Sequence, residues 1–160
     1  ALDLNPHYAE PHNGLGAVYS QKNDGRQAEV EFRAAISLEP KFPEPRLNLA
    51  RLHGSQGKKD EAEQDLREYL KTVPGEPHVS LELASLLLDT GRARESVALC
   101  DAALRDHPAN YSLWNLRGES LWQLGSMDGA IDSFRRSLEA NPFQPEITAR
   151  LRDVSTGVSP

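Results

Sequence analysis

AEPHNGLGAVYSQKNDGRQAEVEFRAAISLEP, residues 9–40, reads as two helices and the turn that joins them. Leu15, Gly16 and Tyr19 share one helical face. Ala28, Phe32, Ala35 and Ile36 share another, at spacings of four, three and one. Between them NDG (residues 23–25) is a turn signal, because Asn and Gly tolerate the left-handed conformation. Pro40 ends the second helix, since proline cannot continue the hydrogen-bond ladder.

The same unit recurs down the chain. Prolines stand at 6, 40, 74, 108 and 142, each 34 residues after the last. That step also links Gly16, Ala50, Ala84 and Gly118. It links Ala28, Ala62, Ser96 and Ala130, and then Phe32, Leu66, Cys100 and Phe134. Leu2, Ile36, Leu70, Leu104 and Leu138 keep it, as do Gly57, Gly91 and Gly125 with Asn23 at the matching place. A small residue beneath a bulky neighbour lets two helix backbones approach. Neither helix of a pair can bury its apolar stripe alone, so successive pairs must stack into a solenoid.

This pattern resembles the tetratricopeptide repeat family, with a large residue at position 4, Leu at 7, small at 8, aromatic at 11, small at 20, aromatic at 24, Ala at 27 and Pro at 32. Residues 9–42 supply His12, Leu15, Gly16, Tyr19, Ala28, Phe32, Ala35 and Pro40. Residues 43–76 supply Arg46, Leu49, Ala50, His53, Ala62, Leu66, Tyr69 and Pro74. Residues 77–110 supply Ser80, Leu83, Ala84, Leu87, Ser96, Cys100, Ala103 and Pro108. Residues 111–144 supply Trp114, Arg117, Gly118, Leu121, Ala130, Phe134, Ser137 and Pro142. The resemblance implies an all-α, right-handed superhelical solenoid of antiparallel helix pairs, with four full repeats. Residues 1–8 read as the end of a preceding repeat's second helix. Residues 145–154 (PEITARLRDV) read as a capping helix, because Arg152 stands where a small residue would admit a neighbour. Residues 155–160 read as a flexible tail.

Composition narrows the function classes. A net charge of −6 disfavours a nucleic-acid partner, which asks for a basic patch. No apolar run approaches the ~18 residues of a membrane span, and a reducing, cytoplasmic setting is expected. Cys100 is the only cysteine, so no disulfide can form within the chain. It falls in the buried column with Phe32, Leu66 and Phe134, where a free thiol behaves as a small hydrophobe. The five histidines lack ligand spacing, and neither a metal nor a cofactor is expected. No Gly-rich phosphate loop, GxSxG or other catalytic constellation is present, so the chain does not read as an enzyme.

In the resembled family the first helix of each pair lines a concave groove through positions 2, 5, 6, 9, 12 and 13. The candidate peptide-binding residues implied by that register are Asn13 in the first repeat, Asn48 and Arg51 in the second, Leu81, Glu82, Ser85, Leu88 and Asp89 in the third, and Asn115, Glu119 and Trp122 in the fourth. The third and fourth repeats are the more apolar, and carboxylates outnumber Arg51. A basic or amphipathic helix or peptide is the expected partner. The carboxylate clamp of chaperone-binding members is not matched. Of its five positions only Asn48 fits, and Glu82 would repel a C-terminal carboxylate. The expected role is a scaffold or adaptor, with a regulatory or substrate-recruiting segment of a larger enzyme as the alternative. Self-association through the N-terminal end is a third reading.

SLWNLRGESLWQLG, residues 112–125, carries both tryptophans eight residues apart. Eight residues turn a helix by roughly 800°, which leaves the rings about 80° apart. Trp114 at position 4 is expected to pack between helices, and Trp122 at position 12 to face the groove. Arg117 stands where Leu is usual, with Leu116 one step early, an offset that could rotate the helix and bury Trp122.

Overall fold

Left-handed residues end the first helix of every pair. Asn23 has φ 60°, and Gly57, Gly91 and Gly125 have φ between 76° and 77°. One residue beyond each, a backbone N–H reaches back across the helix end: Asp24 to Tyr19, Lys58 to His53, Arg92 to Leu87 and Ser126 to Leu121. This closure satisfies carbonyls that the helix leaves orphaned, and it needs a residue that tolerates positive φ. The Asn/Gly column at a step of 34 therefore has a conformational cause.

The computed structural model describes residues 8–158. The described residues form nine helices and no strand. They fall into two compact units, Ala1–Pro74 and Gly75–Pro160. Of the expected helix end at residues 1–8, all but Tyr8 lies outside the described residues.

The first unit holds α1 (Ala9–Gln21), α2 (Gly25–Leu38), α3 (Pro43–Ser55) and α4 (Lys59–Thr72). Each helix packs on the next, and α1 also touches α3. Ala28, Phe32, Leu49 and Leu52 form the core, with Tyr19 and Ile36 against it. Gly16 lies under Phe32 so closely that a Cβ there would stand 2.5 Å from ring Cε1.

The second unit holds α5 (Pro77–Asp89), α6 (Ala93–Asp106), α7 (Tyr111–Gln123), α8 (Met127–Ala140) and α9 (Pro145–Ser155). Pro77 and Pro145 open their helices, where the missing N–H costs nothing. α7 starts instead on Asn110, whose side chain accepts from the Leu113 N–H at 3.0 Å. One core cluster joins Ala84, Cys100, Ala103, Leu104, Leu113 and Leu116. A second joins Trp122, Ala130, Phe134, Ile147 and Val154. Gly118 repeats the close approach of Gly16, with a Cβ there 2.5 Å from Phe134 Cε1. The small column is thus graded: glycine faces each Phe, and alanine stands in the two repeats whose partner column holds Leu66 or Cys100.

Arg117 occupies the leucine place without entering the core. Its guanidinium reaches Asp101 at 2.6 Å and Ser133 Oγ at 2.7 Å. Leu116, one step earlier, takes the buried role. α9 continues to Ser155, and the Val158 N–H bonds back to Asp153 at 3.0 Å. Ser155, read from sequence as the first residue of a flexible tail, is the last residue of α9. None of the described helices is long and apolar enough to cross a membrane.

Candidate functional site

Each unit carries its own cluster of the expected groove residues. In the first unit, Ala17, Ser20, Gln21, Phe32, Asn48, Arg51, Leu52 and Ser55 line a depression along α1 and α3. Asn48 Nδ2 donates to Asn13 Oδ1 at 2.9 Å. That bond brings two of the candidate residues together across the helix pair and engages their amides with each other. The surface so formed is mixed, with Phe32, Leu52 and Ala17 beside Ser20, Gln21, Asn48, Arg51 and Ser55, and its volume is about 300 Å³.

The second unit carries two depressions whose linings hold leucines and carboxylates. Leu81, Ser85, Ser112, Asn115, Leu116 and Glu119 line one depression along α5 and α7. Leu88, Asp89, Glu119, Trp122, Gln123 and Arg150 line another. Glu119 belongs to both, so the two adjoin. Their volumes are about 210 Å³ and 310 Å³. These lie at or below the lower end of the ~300–1,000 Å³ of a small-molecule cavity, and suit side chains of a peptide or helix laid across the face. Leu81 and Leu88 are half-buried against the first core cluster of the unit, each presenting the rest of its surface outward. Ser85 and Asp89 are exposed. Glu82 is half-buried on the same helix and lines neither depression.

Two expectations change here. The first concerns Trp122, expected to face the groove. Trp122 is 6% exposed, packs with Ala130, Phe134, Ile147 and Val154, and donates its indole N–H to the Val158 carbonyl at 3.1 Å. Only an edge of it meets the depression. The cause is the Leu116/Arg117 offset together with α9, which packs over that end of α8. Trp114 is partly buried against the core cluster of Ala84, Cys100 and Leu113, a packing place as expected. Its indole N–H bonds the Pro108 carbonyl at 2.8 Å, and the guanidinium groups of Arg117 and Arg136 lie 5.6 and 5.1 Å from its ring centroid.

Asn115 keeps its place on the Leu81–Leu116 depression and is anchored there. Its side-chain N–H donates to Gln144 Oε1 at 2.8 Å, which ties α7 to the segment entering α9, and its buried Oδ1 has no hydrogen-bond partner among the described residues. The second change concerns charge. Glu119 is paired with Arg150 Nε at 3.1 Å, so the face is less acidic than its own repeats imply. Arg150 was not among the expected residues. It is the sixth residue counted from Pro145, the same register position as Asn48 and Leu116, and extending the register into the capping helix would have found it.

Reactive chemistry is not assembled at either cluster. Cys100 is fully buried, and that burial, reinforced by Asp101, pushes its thiol up to about 12. His12 Nδ1 is 2.6 Å from Glu31 Oε2, a hydrogen-bonding contact that links α1 and α2. No group of three or more His, Cys, Asp or Glu among the described residues could hold a metal ion.

Two family models described as tetratricopeptide repeat match the chain, over residues 24–82 and 81–145. No curated protein matches its sequence significantly. Among solved structures, PilF of Pseudomonas aeruginosa is similar at a TM-score of 0.82 and 21% identity, over 94% of this chain and 69% of that one. MamA of Desulfovibrio magneticus RS-1 is similar at 0.76 and 15% identity, over 94% and 85% of the two chains. YrrB, described as having an unusual peptide-binding site, is similar at 0.71 and 14% identity, over 96% and 79%. At these identities the structures establish a shared fold.

Proposed function

The chain belongs to the tetratricopeptide repeat family of protein-interaction domains, and from that premise we propose that it is a non-catalytic scaffold that holds a partner's peptide or helix on the α5–α7–α9 face. The observation that carries this reading is the pair of adjoining depressions that meet at Glu119. Leu81, Leu88 and Leu116 give the face apolar footing, and Asp89 and Glu119 sit at its margin. A partner that buries leucine-sized side chains and presents Lys or Arg toward Asp89 satisfies both features. The peptide-binding description of YrrB is in keeping with a ligand of this class. Tails ending in acidic residues and a free carboxylate do not suit a face edged by Asp89 and Glu119.

The test is a surface variant that spares the core. Ser85 and Asp89 are both exposed, so Ser85→Arg with Asp89→Arg should fold normally while adding bulk and reversing charge. Affinity capture from native lysate, read by mass spectrometry, should then lose the proteins that the unaltered chain retains. Identical capture profiles would remove this face from the account.

A further inference from the structure

A second surface is marked by the register itself. Positions 3, 7 and 10 of a repeat point from the first helix of a pair toward the second helix of the pair before it. In α3 these are Pro45, Leu49 and Leu52, with Pro45 under 2%, Leu49 0% and Leu52 7% exposed, covered by the Ala28 and Phe32 face of α2. In α9 they are Ile147, Leu151 and Val154, covered by Ala130, Phe134 and Leu138 of α8. In α7 Leu113 is fully buried against Cys100, Ala103 and Leu104 of α6.

In α1 the same positions are Pro11, Leu15 and Val18, and all three are exposed, Leu15 by 48% and Val18 by 46%. Ordinary surface apolarity does not explain this. Val30 of α2 is 55% exposed, but its register equivalents Gln64, Ala98 and Asp132 are exposed too. Leu15 and Val18 are apolar where the equivalents in α3 and α9 are apolar because a helix covers them. Continuity with the three internal interfaces therefore specifies the occupant.

We propose that the Pro11–Leu15–Val18 face of α1 docks an amphipathic helix built like the second helix of this chain's own pairs. That helix carries a small residue, a bulky apolar residue four later, a small residue three further on and a leucine next, as Ala130, Phe134, Ser137 and Leu138 do in α8. Its opposite side is polar. This docking surface is independent of the α5–α7–α9 reading, and the two can fail separately.

The probe is a fluorescein-labelled peptide of residues 127–140, crosslinked between positions 132 and 136 to hold it helical. Both positions are exposed in α8, so the crosslink stays off the contact side. The whole chain is titrated into it and read by anisotropy, with amide chemical shifts mapping the contact. Saturable binding with shifts centred on α1 is expected. Leu15→Glu with Val18→Glu should weaken it at least tenfold with circular dichroism unchanged, and Val30→Glu should leave it unaltered. Absence of saturable binding, or equal binding by the Leu15/Val18 variant, would overturn the proposal. Sedimentation provides the remaining arm. A monomer at high micromolar concentration is expected, whereas a dimer dissolved by the Leu15/Val18 variant would reassign the face to a second copy and overturn the helix assignment.

Discussion

The α1–α3 face of the first unit and the α5–α7 face of the second are built from the same register positions and differ in chemistry. Position 12 reads Ser20 and Gly54 in the first unit, then Leu88 and Trp122 in the second. The first-unit depression is lined by Ala17, Phe32 and Leu52 together with uncharged polar side chains and Arg51, and it holds no carboxylate. The second-unit depressions are floored by leucines and edged by Asp89 and the Glu119–Arg150 pair. The helix-pair frame decides where side chains are presented. What stands at those positions decides whether they bind, support the core or simply meet water.

The sharpest way to break the comparison is at position 12. Trp122→Ala removes a core side chain with a hydrogen-bonded indole, and should cost about 3–5 kcal/mol in chemical denaturation. Ser20→Ala at the equivalent place in the first unit should cost less than ~0.5 kcal/mol. Equal costs would mean that the two faces do not differ as described.

The glycine–phenylalanine contacts test where the two units should agree. Gly118→Ala places a methyl against Phe134, and should cost about 1–2 kcal/mol net of the better helix propensity of alanine. Gly16→Ala should do the same against Phe32. Adding Phe134→Leu to Gly118→Ala recreates the Ala50/Leu66 combination of the second repeat, and should recover about half of that loss in a double-mutant cycle.

Smaller effects concern charge. Arg150→Ala frees the Glu119 carboxylate, and should tighten binding of a basic peptide about twofold to threefold with stability changed by less than ~0.5 kcal/mol, since the pair is partly exposed. In the first unit the Arg33 hydrogen bond holds the Glu29 carboxyl below its usual range, opposed by partial burial. A lowered carboxylate stabilises the fold above its ordinary range and loses that contribution as pH falls through the lowered value. Glu29→Gln should therefore cost up to ~0.5 kcal/mol near neutral pH, and the difference should vanish on acidification.

Most of the fold was legible because it rests on local rules repeated in step. Turn residues at 23, 57, 91 and 125, small residues under bulky ones and prolines after the second helices all act within one unit or between neighbours. The candidate site was legible in part. The register placed Leu81, Ser85, Leu88, Asp89 and Glu119 together, and Asn48 with Arg51. It placed Trp122 toward the groove because the burial of that ring depends on a one-residue offset at Leu116/Arg117 and on where the last turn carries Val158. It did not show that Gln144 anchors the Asn115 side chain, because Gln144 lies outside the helical pattern. Arg150 escaped because the last helix was read as a cap and not as a further wall.

The central claim is that binding resides on the second-unit face. Isothermal titration of a helical Leu/Lys peptide against three proteins tests it directly: the unaltered chain, Ser85→Arg with Asp89→Arg, and Gln21→Arg with Ser55→Arg as the first-unit counterpart. The account predicts at least a tenfold loss of affinity in the second protein and less than a twofold change in the third. Equal losses in both variants, or undiminished binding by Ser85→Arg with Asp89→Arg, would contradict it.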